Sequence, residues 1–320
     1  MSDHPWIHVF SPATIGNIGP GFDVLGMAVR GLGDTVEARR ADEPGVRIVS
    51  VDGVAAVPTD PEKNTAARAA LHAFRMLHVQ GGMELRIHKG LPAGSGLGSS
   101  AASAAAGAFA ANELYGQELR TEQLILAATQ AEAEVSGGFF ADNTAPALLG
   151  GATLTRCCVP LDVTRIGVID RLQIVLITPN QVVLTREARA LLPETVPMAA
   201  FIANMANTAL ITAAFAKNDY ALFARSLHDH VVEPVRAKLI TGFNDVKKHA
   251  LRAGADGVAI SGSGPTVFAI TDSMDKARVI EQQMVLTFNA HGLSTKSLIT
   301  TMDPDGTRVV QPGADAEHPA

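Results

Sequence analysis

The order of hydrophobic and polar positions predicts short strands interspersed with amphipathic helices. Met83, Leu85 and Ile87 alternate with polar side chains in a stretch that Gly90 and Pro92 end, which is typical of a half-buried strand. Apolar positions between residues 66 and 77 recur instead at helical spacing. The same criteria predict further strands over 8–14, 35–39, 46–53, 170–180, 257–264 and 266–271, and helices over 64–77, from 99 onward, 121–138, 185–192, 198–218 and 221–235.

These elements predict an α+β fold in which helices cover mainly antiparallel sheets. The chain has 320 residues, more than one hydrophobic core usually holds, so a second domain is expected, with a boundary near residues 150–170. Thr121 is expected to cap the helix over 121–138, and Gly137 and Gly138 to end it. Adjacent Cys157 and Cys158 form no disulfide framework or zinc motif and are expected to be small apolar residues of a strand.

Charge and hydropathy exclude several classes of protein. The net charge is −6 and basic residues form no long run, which argues against a nucleic-acid partner. The first ten residues lack the pattern of a secretory leader. We expect no apolar run to be long enough to span a membrane. We therefore expect a cytoplasmic protein without a membrane partner.

A glycine-rich loop followed by an alanine-rich helix, Gly90–Gly107, is the strongest chemical signal in the chain. Glycines permit a close approach to the backbone, and a helix N-terminus offers free N–H groups and a partial positive charge. The pattern indicates an anion site, most often one for phosphate, although a tight turn into a close-packed helix would produce it too. The lysine of a P-loop is missing, and Ser99 occupies the place of the third glycine of a dinucleotide loop.

The segment PAGSGLGSSAA, Pro92–Ala102, resembles the ATP-binding signature of the GHMP small-molecule kinases. Two more stretches resemble the first and third motifs of that family: SPATIGNIGPGFDVLGMA at 11–28 and GVAISGSGPTVFAI at 257–270. The segments ADNTAPALLGG, TREARALLP and EPVRAKLITGF are similar to the homoserine kinase branch in particular. The resemblance runs in order from residue 8 to about residue 270.

The resemblance implies a two-domain GHMP kinase fold. Residues 1–160 would form a ribosomal-protein-like N-terminal domain with a left-handed βαβ unit, residues 161–308 a ferredoxin-like C-terminal domain, and residues 309–320 a flexible tail. It also implies ATP and Mg²⁺ as cofactors, a homodimer, and phosphorylation of the hydroxyl of L-homoserine to O-phospho-L-homoserine in threonine biosynthesis.

The family's nucleotide and metal residues carry over by position. Asn64 would contact adenine, unless it only caps a helix, and Ser100 and Glu132 would bind Mg²⁺. The triphosphate would lie against two glycine loops, so the implied nucleotide-binding residues are Asn64, Pro92, Ala93, Gly94, Ser95, Gly96, Leu97, Gly98, Ser99, Ser100, Ala101, Ala102, Ser263 and Gly264.

The acceptor residues carry over in the same way. Arg189 and Arg236 would hold a carboxylate, a task suited to the guanidinium fork. Asn17 and Asp23 would lie near the amino-acid head group. Catalytic positions near the hydroxyl would be Asp142, Asn143 and Thr185, with Asp142 orienting the substrate and a role as base left open.

Phe140 departs from the family, whose homoserine kinases generally carry histidine there; a phenyl ring donates no hydrogen bond to the substrate it would line. The acceptor could therefore be a different small alcohol. A non-catalytic nucleotide-binding sensor on the same fold is the other alternative, but it should lack the metal ligands or the acceptor carboxylate, and Ser100, Glu132 and Asp142 are all present.

Overall fold

A computed structural model describes residues 4–312. Its strands are β1 (Ile7–Gly16), β2 (Leu25–Ala41), β3 (Gly45–Gly53), β4 (Gly82–Lys89), β5 (Ala152–Cys158), β6 (Leu161–Gly167), β7 (Gln173–Pro179), β8 (Gly257–Ile260), β9 (Val267–Thr271), β10 (Thr295–Thr300) and β11 (Arg308–Val310). Its helices are α1 (Thr65–Leu77), α2 (Ser99–Leu114), α3 (Thr121–Ser136), α4 (Thr144–Leu149), α5 (Thr185–Ala190), α6 (Met198–Lys217), α7 (Tyr220–Ser226), α8 (Glu233–Arg236), α9 (Phe243–Arg252) and α10 (Met274–Ala290).

The first sheet has seven strands, in the order β11-β1-β2-β4-β3 with the β5–β6 hairpin joined to β2. All its pairs are antiparallel except β3–β4, which α1 connects as a βαβ unit. The predicted alternation in β4 is confirmed for buried Met83, Leu85 and Ile87, but not for Glu84, which is also buried and whose carboxylate binds Arg39 and Arg47. Cys157 and Cys158 lie half-buried in β5, as predicted.

The alanine-rich helix α2 packs against α1, α3 and strands β1 and β2, where larger side chains have no room. Its alanines are fully buried, and a Cβ on Gly107 would come within 2.1 Å of the Ala66 carbonyl oxygen of α1. Helices α1 and α3 complete the layer. This packing explains a helix that is apolar on nearly all sides.

The second sheet has the order β10-β7-β9-β8 and is antiparallel throughout, with α9 and α10 against one face. That is the strand order of a ferredoxin-like unit. Val175 and Ile177 of β7 point into the core beneath these helices, whereas Ile174 and Leu176 join a core shared with the first sheet. The second sheet is thus buried on both faces. This accounts for the almost uninterrupted apolar sequence of its strand β7. The implied two-domain α+β architecture is confirmed.

Several local predictions need correction. The helix predicted over 221–235 is interrupted between α7 and α8, because Asp229 accepts hydrogen bonds from the backbone N–H groups of residues 231–233 and so begins a new turn. Thr121 is the first helical residue of α3 rather than its cap, a position held by Arg120. Helices α4, α9 and α10 and strands β5, β6, β10 and β11 were not predicted as elements.

The expectation that no apolar stretch is long enough to span a membrane is wrong for α6. By length and composition alone, this helix could cross a membrane. Its polar side chains, however, bond to the rest of the chain: Asn204 donates to Asp229, and Thr208 donates to the Pro20 carbonyl oxygen. The division at residue 160 stays a prediction; β6, beyond it, pairs with β5 in the first sheet. Most of the predicted tail at 309–320 lies outside the described residues, and its first two residues end β11.

Candidate active site

The loop between β4 and α2 presents bare backbone beside a helix N-terminus. Gly98 occupies the cap position of α2 at φ 66°, and no side chain caps the helix there. A Cβ on Gly98 would lie 2.0 Å from the Thr14 hydroxyl, and one on Gly96 would lie 2.4 Å from the Ser261 carbonyl oxygen. Only glycine fits these close contacts. The first-turn N–H groups of α2, which an N-terminal turn leaves without helical partners, are available to an anion.

A second glycine loop, residues 261–264, closes against the first. The Ser261 hydroxyl donates to the Gly96 carbonyl oxygen at 2.6 Å, and the Thr266 N–H donates to that of Ser95 at 3.1 Å. The Gly262 N–H reaches the Gly16 carbonyl oxygen at the end of β1, at 3.2 Å. Three segments far apart in sequence therefore form one rim.

This rim borders a cavity of about 250 Å³ that brings together most of the predicted site residues. Those that line it are Asn17, Asp23, Gly94, Ser95, Gly96, Gly98, Ser99, Ser100, Glu132, Phe140, Asp142, Asn143, Thr185, Arg189, Arg236 and Ser263, together with Gly138 and Gly262, which were not predicted. The cavity joins residues from loops beside strands of both sheets and from five helices, α2, α3, α4, α5 and α8, or their flanking loops.

Seven predicted nucleotide residues do not line this cavity. Asn64 caps α1, accepting from the N–H groups of residues 66 and 67 and donating to the Pro58 carbonyl oxygen at 2.8 Å. Leu97, Ala101 and Ala102 are buried, and Gly264 packs against Ile240. Pro92 and Ala93 line a neighbouring cavity of about 450 Å³.

Two carboxyl groups that line the cavity have strongly raised pKa values. Burial, and then the charge of Asp142, raise the pKa of Glu132 to about 8, although a hydrogen bond with the Ser100 side chain opposes this. Burial, and then the charge of Asp23, raise the pKa of Asp142 to about 7. Paired carboxyls removed from water resist losing both protons, and perturbed groups of this kind often mark functional sites.

The cavity is also lined by two arginines with different partners. Arg189 donates both terminal nitrogens to Asp23, at 2.8 and 3.1 Å. Arg236 is 3% exposed and donates to the Gly262 carbonyl oxygen at 2.9 Å, while its Nε has no partner. Burial, and then the charge of Arg189, lower the pKa of Arg236. A buried cation with an unused donor is suited to an anionic ligand.

The remaining polar residues of the site form hydrogen bonds that join its segments. Asn17 donates to the Gly262 carbonyl oxygen at 2.9 Å and accepts from the Asp23 N–H at 3.0 Å. Asn143, at the start of α4, accepts from the Thr14 hydroxyl at 2.8 Å. Thr185, the first residue of α5, lies 3.4 Å from the Ser263 hydroxyl.

Sequence reasoning missed a buried ion pair beneath the phosphate-type loop. The Lys89 ammonium binds the Asp34 carboxylate and donates to the Ser99 carbonyl oxygen at 2.9 Å and the Ser103 hydroxyl at 2.8 Å. Asp34 also accepts from the N–H groups of Gly90 and Leu91. Burial raises the pKa of Asp34 and lowers that of Lys89, and each charge opposes the other's shift. The pair ties both ends of the loop to β2.

Comparison with known proteins agrees with this arrangement. Residues 64–151 match the model for the N-terminal domain of GHMP kinases, and residues 211–289 match that for the C-terminal domain. The chain therefore belongs to the GHMP kinase family. Kinases of this family use ATP, so membership supports ATP as the nucleotide.

The curated relatives are more specific. Homoserine kinase from Arabidopsis thaliana is 44% identical over 95% of this chain and 84% of its own length. Homoserine kinase from Chloroherpeton thalassium is 38% identical over 94% of this chain and 98% of its own length. The crystal structure of homoserine kinase from Cytophaga hutchinsonii is 41% identical, with a TM-score of 0.91 over 97% of this chain and 99% of that one. The predicted resemblance to the homoserine kinase branch is confirmed.

Proposed function

We propose that this protein transfers the γ-phosphoryl group of ATP to the hydroxyl of L-homoserine, giving O-phospho-L-homoserine. The observation that carries the proposal is a single cavity that is lined both by the glycine loops, as an anion cradle, and by the pair Arg189 and Arg236 with Asp23. A phosphate donor and a small zwitterionic acceptor would thus meet with their charges matched. The resemblance to curated homoserine kinases supports the same acceptor.

On the donor side, the N–H groups of the first turn of α2 and the two glycine loops would bind the triphosphate. Ser100 of α2 and Glu132 of α3 would supply hard oxygen donors to one ion, and the influence of the Ser100 side chain on the pKa of Glu132 supports this pairing. The described residues contain no cluster of three or more His, Cys, Asp or Glu side chains suited to a metal. Two protein ligands fit Mg²⁺, which binds through one or two carboxylates plus substrate phosphates. When bound, Mg²⁺ would offset the negative charge that phosphoryl transfer develops.

On the acceptor side, the carboxylate of homoserine would bind Arg236 and Arg189, and its ammonium would bind Asp23, which Asn17 holds in place. Such a ligand would give Arg236 the anion it lacks. Asn143 and Thr185 would flank the hydroxyl, which points toward the phosphate loop.

Asp142 would orient the hydroxyl and accept its proton as the hydroxyl oxygen attacks the γ-phosphorus and ADP leaves. A pKa of about 7 leaves a substantial fraction of Asp142 ionised at neutral pH and matches the strength of a useful general base. The Lys89 ammonium is bound to Asp34 and does not line the cavity, so no lysine contributes to this step.

The kinase is distinguished from a non-catalytic sensor by ADP release in the presence of ATP, Mg²⁺ and homoserine. The proposal expects ADP to form in step with phosphohomoserine, and only when homoserine is added. Binding of both ligands without ADP formation would support the sensor.

We further propose a cytoplasmic homodimer. Helix α6 exposes Met198, Phe201, Ile202 and Met205, each half or more exposed, on adjacent turns of its outer surface. Such a patch is larger than scattered surface apolar residues and is typical of a protein interface. Sedimentation equilibrium should give about twice the chain mass of 33.4 kDa, and Phe201→Glu should reduce it to one chain.

A further inference from the structure

Two phenylalanine rings contact the arginines of the acceptor side. The Cζ atom of Arg189 lies 4.1 Å from the centre of the Phe140 ring and 5.2 Å from that of Phe22. Arg236 also lies over Phe22, with its Cζ atom 4.8 Å from the ring centre. One ring therefore contacts two cations, and one cation contacts two rings.

These contacts constrain groups that otherwise repel each other. Arginine has a long, flexible side chain, and the charge of Arg189 is close enough to lower the pKa of Arg236. Asp23 fixes the terminal nitrogens of Arg189, but it does not by itself fix the tilt of the guanidinium plane. A ring face attracts a guanidinium and stacks against its plane, so the rings supply that missing constraint.

We propose that Phe22 and Phe140 are positioning residues that set the orientation and spacing of Arg189 and Arg236 for the acceptor's carboxylate. This rests on the proposed function only in naming the carboxylate as that of homoserine. The rings act through the arginines and need not touch the acceptor.

A role confined to core packing does not account for the two rings. Neither belongs to the three buried apolar clusters of residues 4–312, and both are half-buried beside the cavity. The backbone also fits the Phe140 ring closely, because a Cβ on Gly138 would lie 3.0 Å from its Cδ2 atom. The backbone at Gly138 therefore lies close to the same ring that contacts Arg189.

The test compares Phe140→Leu and Phe22→Leu, which keep apolar bulk but lose the ring, with Phe139→Leu in the same loop as the matched control. Phe140→Tyr keeps the ring over Arg189 and should raise the KM for homoserine less than Phe140→Leu does. We expect each of the two leucine variants to raise the KM for homoserine about three- to thirtyfold, the range of a partly desolvated cation–π contact, with little change in kcat or in the KM for ATP. The preference for homoserine over 3-amino-1-propanol, which lacks the carboxylate, should fall by the same factor.

A double-mutant cycle tests whether Phe140 acts through Arg189. In an Arg189→Ala background, Phe140→Leu should cause little further loss on homoserine. An equal loss in both backgrounds, or an unchanged preference over 3-amino-1-propanol, would overturn the proposal.

A second readout needs no acceptor. In ¹⁵N NMR of the ligand-free protein, the Arg189 Nε–H signal should shift and broaden in Phe140→Leu and stay in place in Phe139→Leu. Failure of the wild-type protein to phosphorylate homoserine would count against the proposed function alone. An Arg189 signal indifferent to Phe140→Leu would count against the positioning role alone.

Discussion

Removing the Arg236 guanidinium should abolish tight acceptor binding without harming the nucleotide side. Arg236 is 3% exposed, has one carbonyl partner at 2.9 Å, and keeps an unpartnered Nε. No carboxylate of residues 4–312 forms a salt bridge with it, in contrast to Arg189, which Asp23 already neutralises. The substrate carboxylate would thus be the main counter-charge of Arg236.

The expected loss of homoserine affinity follows from the lack of a salt-bridge partner for Arg236 among residues 4–312. Truncating one member of a buried, hydrogen-bonded charge pair usually costs about 2–5 kcal/mol, so Arg236→Ala should weaken homoserine binding by roughly thirty- to several-thousandfold. The ligand-free protein should lose much less stability. Removing a buried cation that has no salt-bridge partner relieves its desolvation penalty, and this offsets the lost packing against Phe22 and the lost attraction to Asp23, Asp142 and Asp229.

Isothermal titration calorimetry with homoserine and, separately, with Mg·ATP measures both affinities, and thermal unfolding measures stability. Arg308→Ala is the control for the two affinities but not for stability, because Arg308 also lies over a phenyl ring, that of Phe10, and does not line the cavity, yet it forms a salt bridge with buried Asp303. The reasoning is refuted if ATP affinity falls as much as homoserine affinity.

Three further predictions follow from the carboxyl groups and from Phe140. Glu132→Gln should lower kcat by orders of magnitude while the protein still folds, since the metal acts where phosphoryl transfers; near-normal turnover at saturating Mg²⁺ would make Glu132 an ordinary helix residue. Burial raises the pKa of Glu132 from 4.5 to about 8, so its contribution to ligand-free stability is present below pH 4.5 and is lost as the pH rises through 8. Melting temperatures should therefore fall more between pH 5 and 8.5 in the wild type than in Glu132→Gln, and parallel curves would contradict this. Phe140→His should change the homoserine KM by less than about tenfold, or ~1.4 kcal/mol, and leave the ATP KM alone, whereas a hundredfold gain in turnover would indicate another natural acceptor.

Features that depend only on neighbouring residues could be predicted from the local sequence. The alternation of Met83, Leu85 and Ile87 and the glycine-to-serine transition at the start of α2 could be interpreted directly, since the backbone needs of a strand and of a helix N-terminus are short-range. The break between α7 and α8 was missed because Asp229 resembles an ordinary helix residue until its side chain is seen to bond the next turn.

Long-range pairs lay beyond sequence reasoning. Lys89 and Asp34 are 55 residues apart, and nothing local distinguishes them from solvent-exposed strand residues. The resemblance to a family brought Arg189, Asp23 and Arg236 to one site, but it did not indicate that Arg189 is bound to Asp23 while Arg236 has no carboxylate partner. Phe22 had no recognisable signal, because its role depends on where α5 and α8 place their arginines.

The central claim is that the protein phosphorylates a small amino-acid alcohol bound in this cavity. Comparing its turnover of several acceptors tests this claim most directly. Purified protein with Mg²⁺ and ATP is assayed for kcat/KM with L-homoserine, mevalonate, galactose and shikimate under identical conditions. The arginine pair and Asp23 predict that L-homoserine is the best acceptor, since it alone in the panel carries both a carboxylate and an ammonium. Faster turnover of galactose, mevalonate or shikimate would contradict the account.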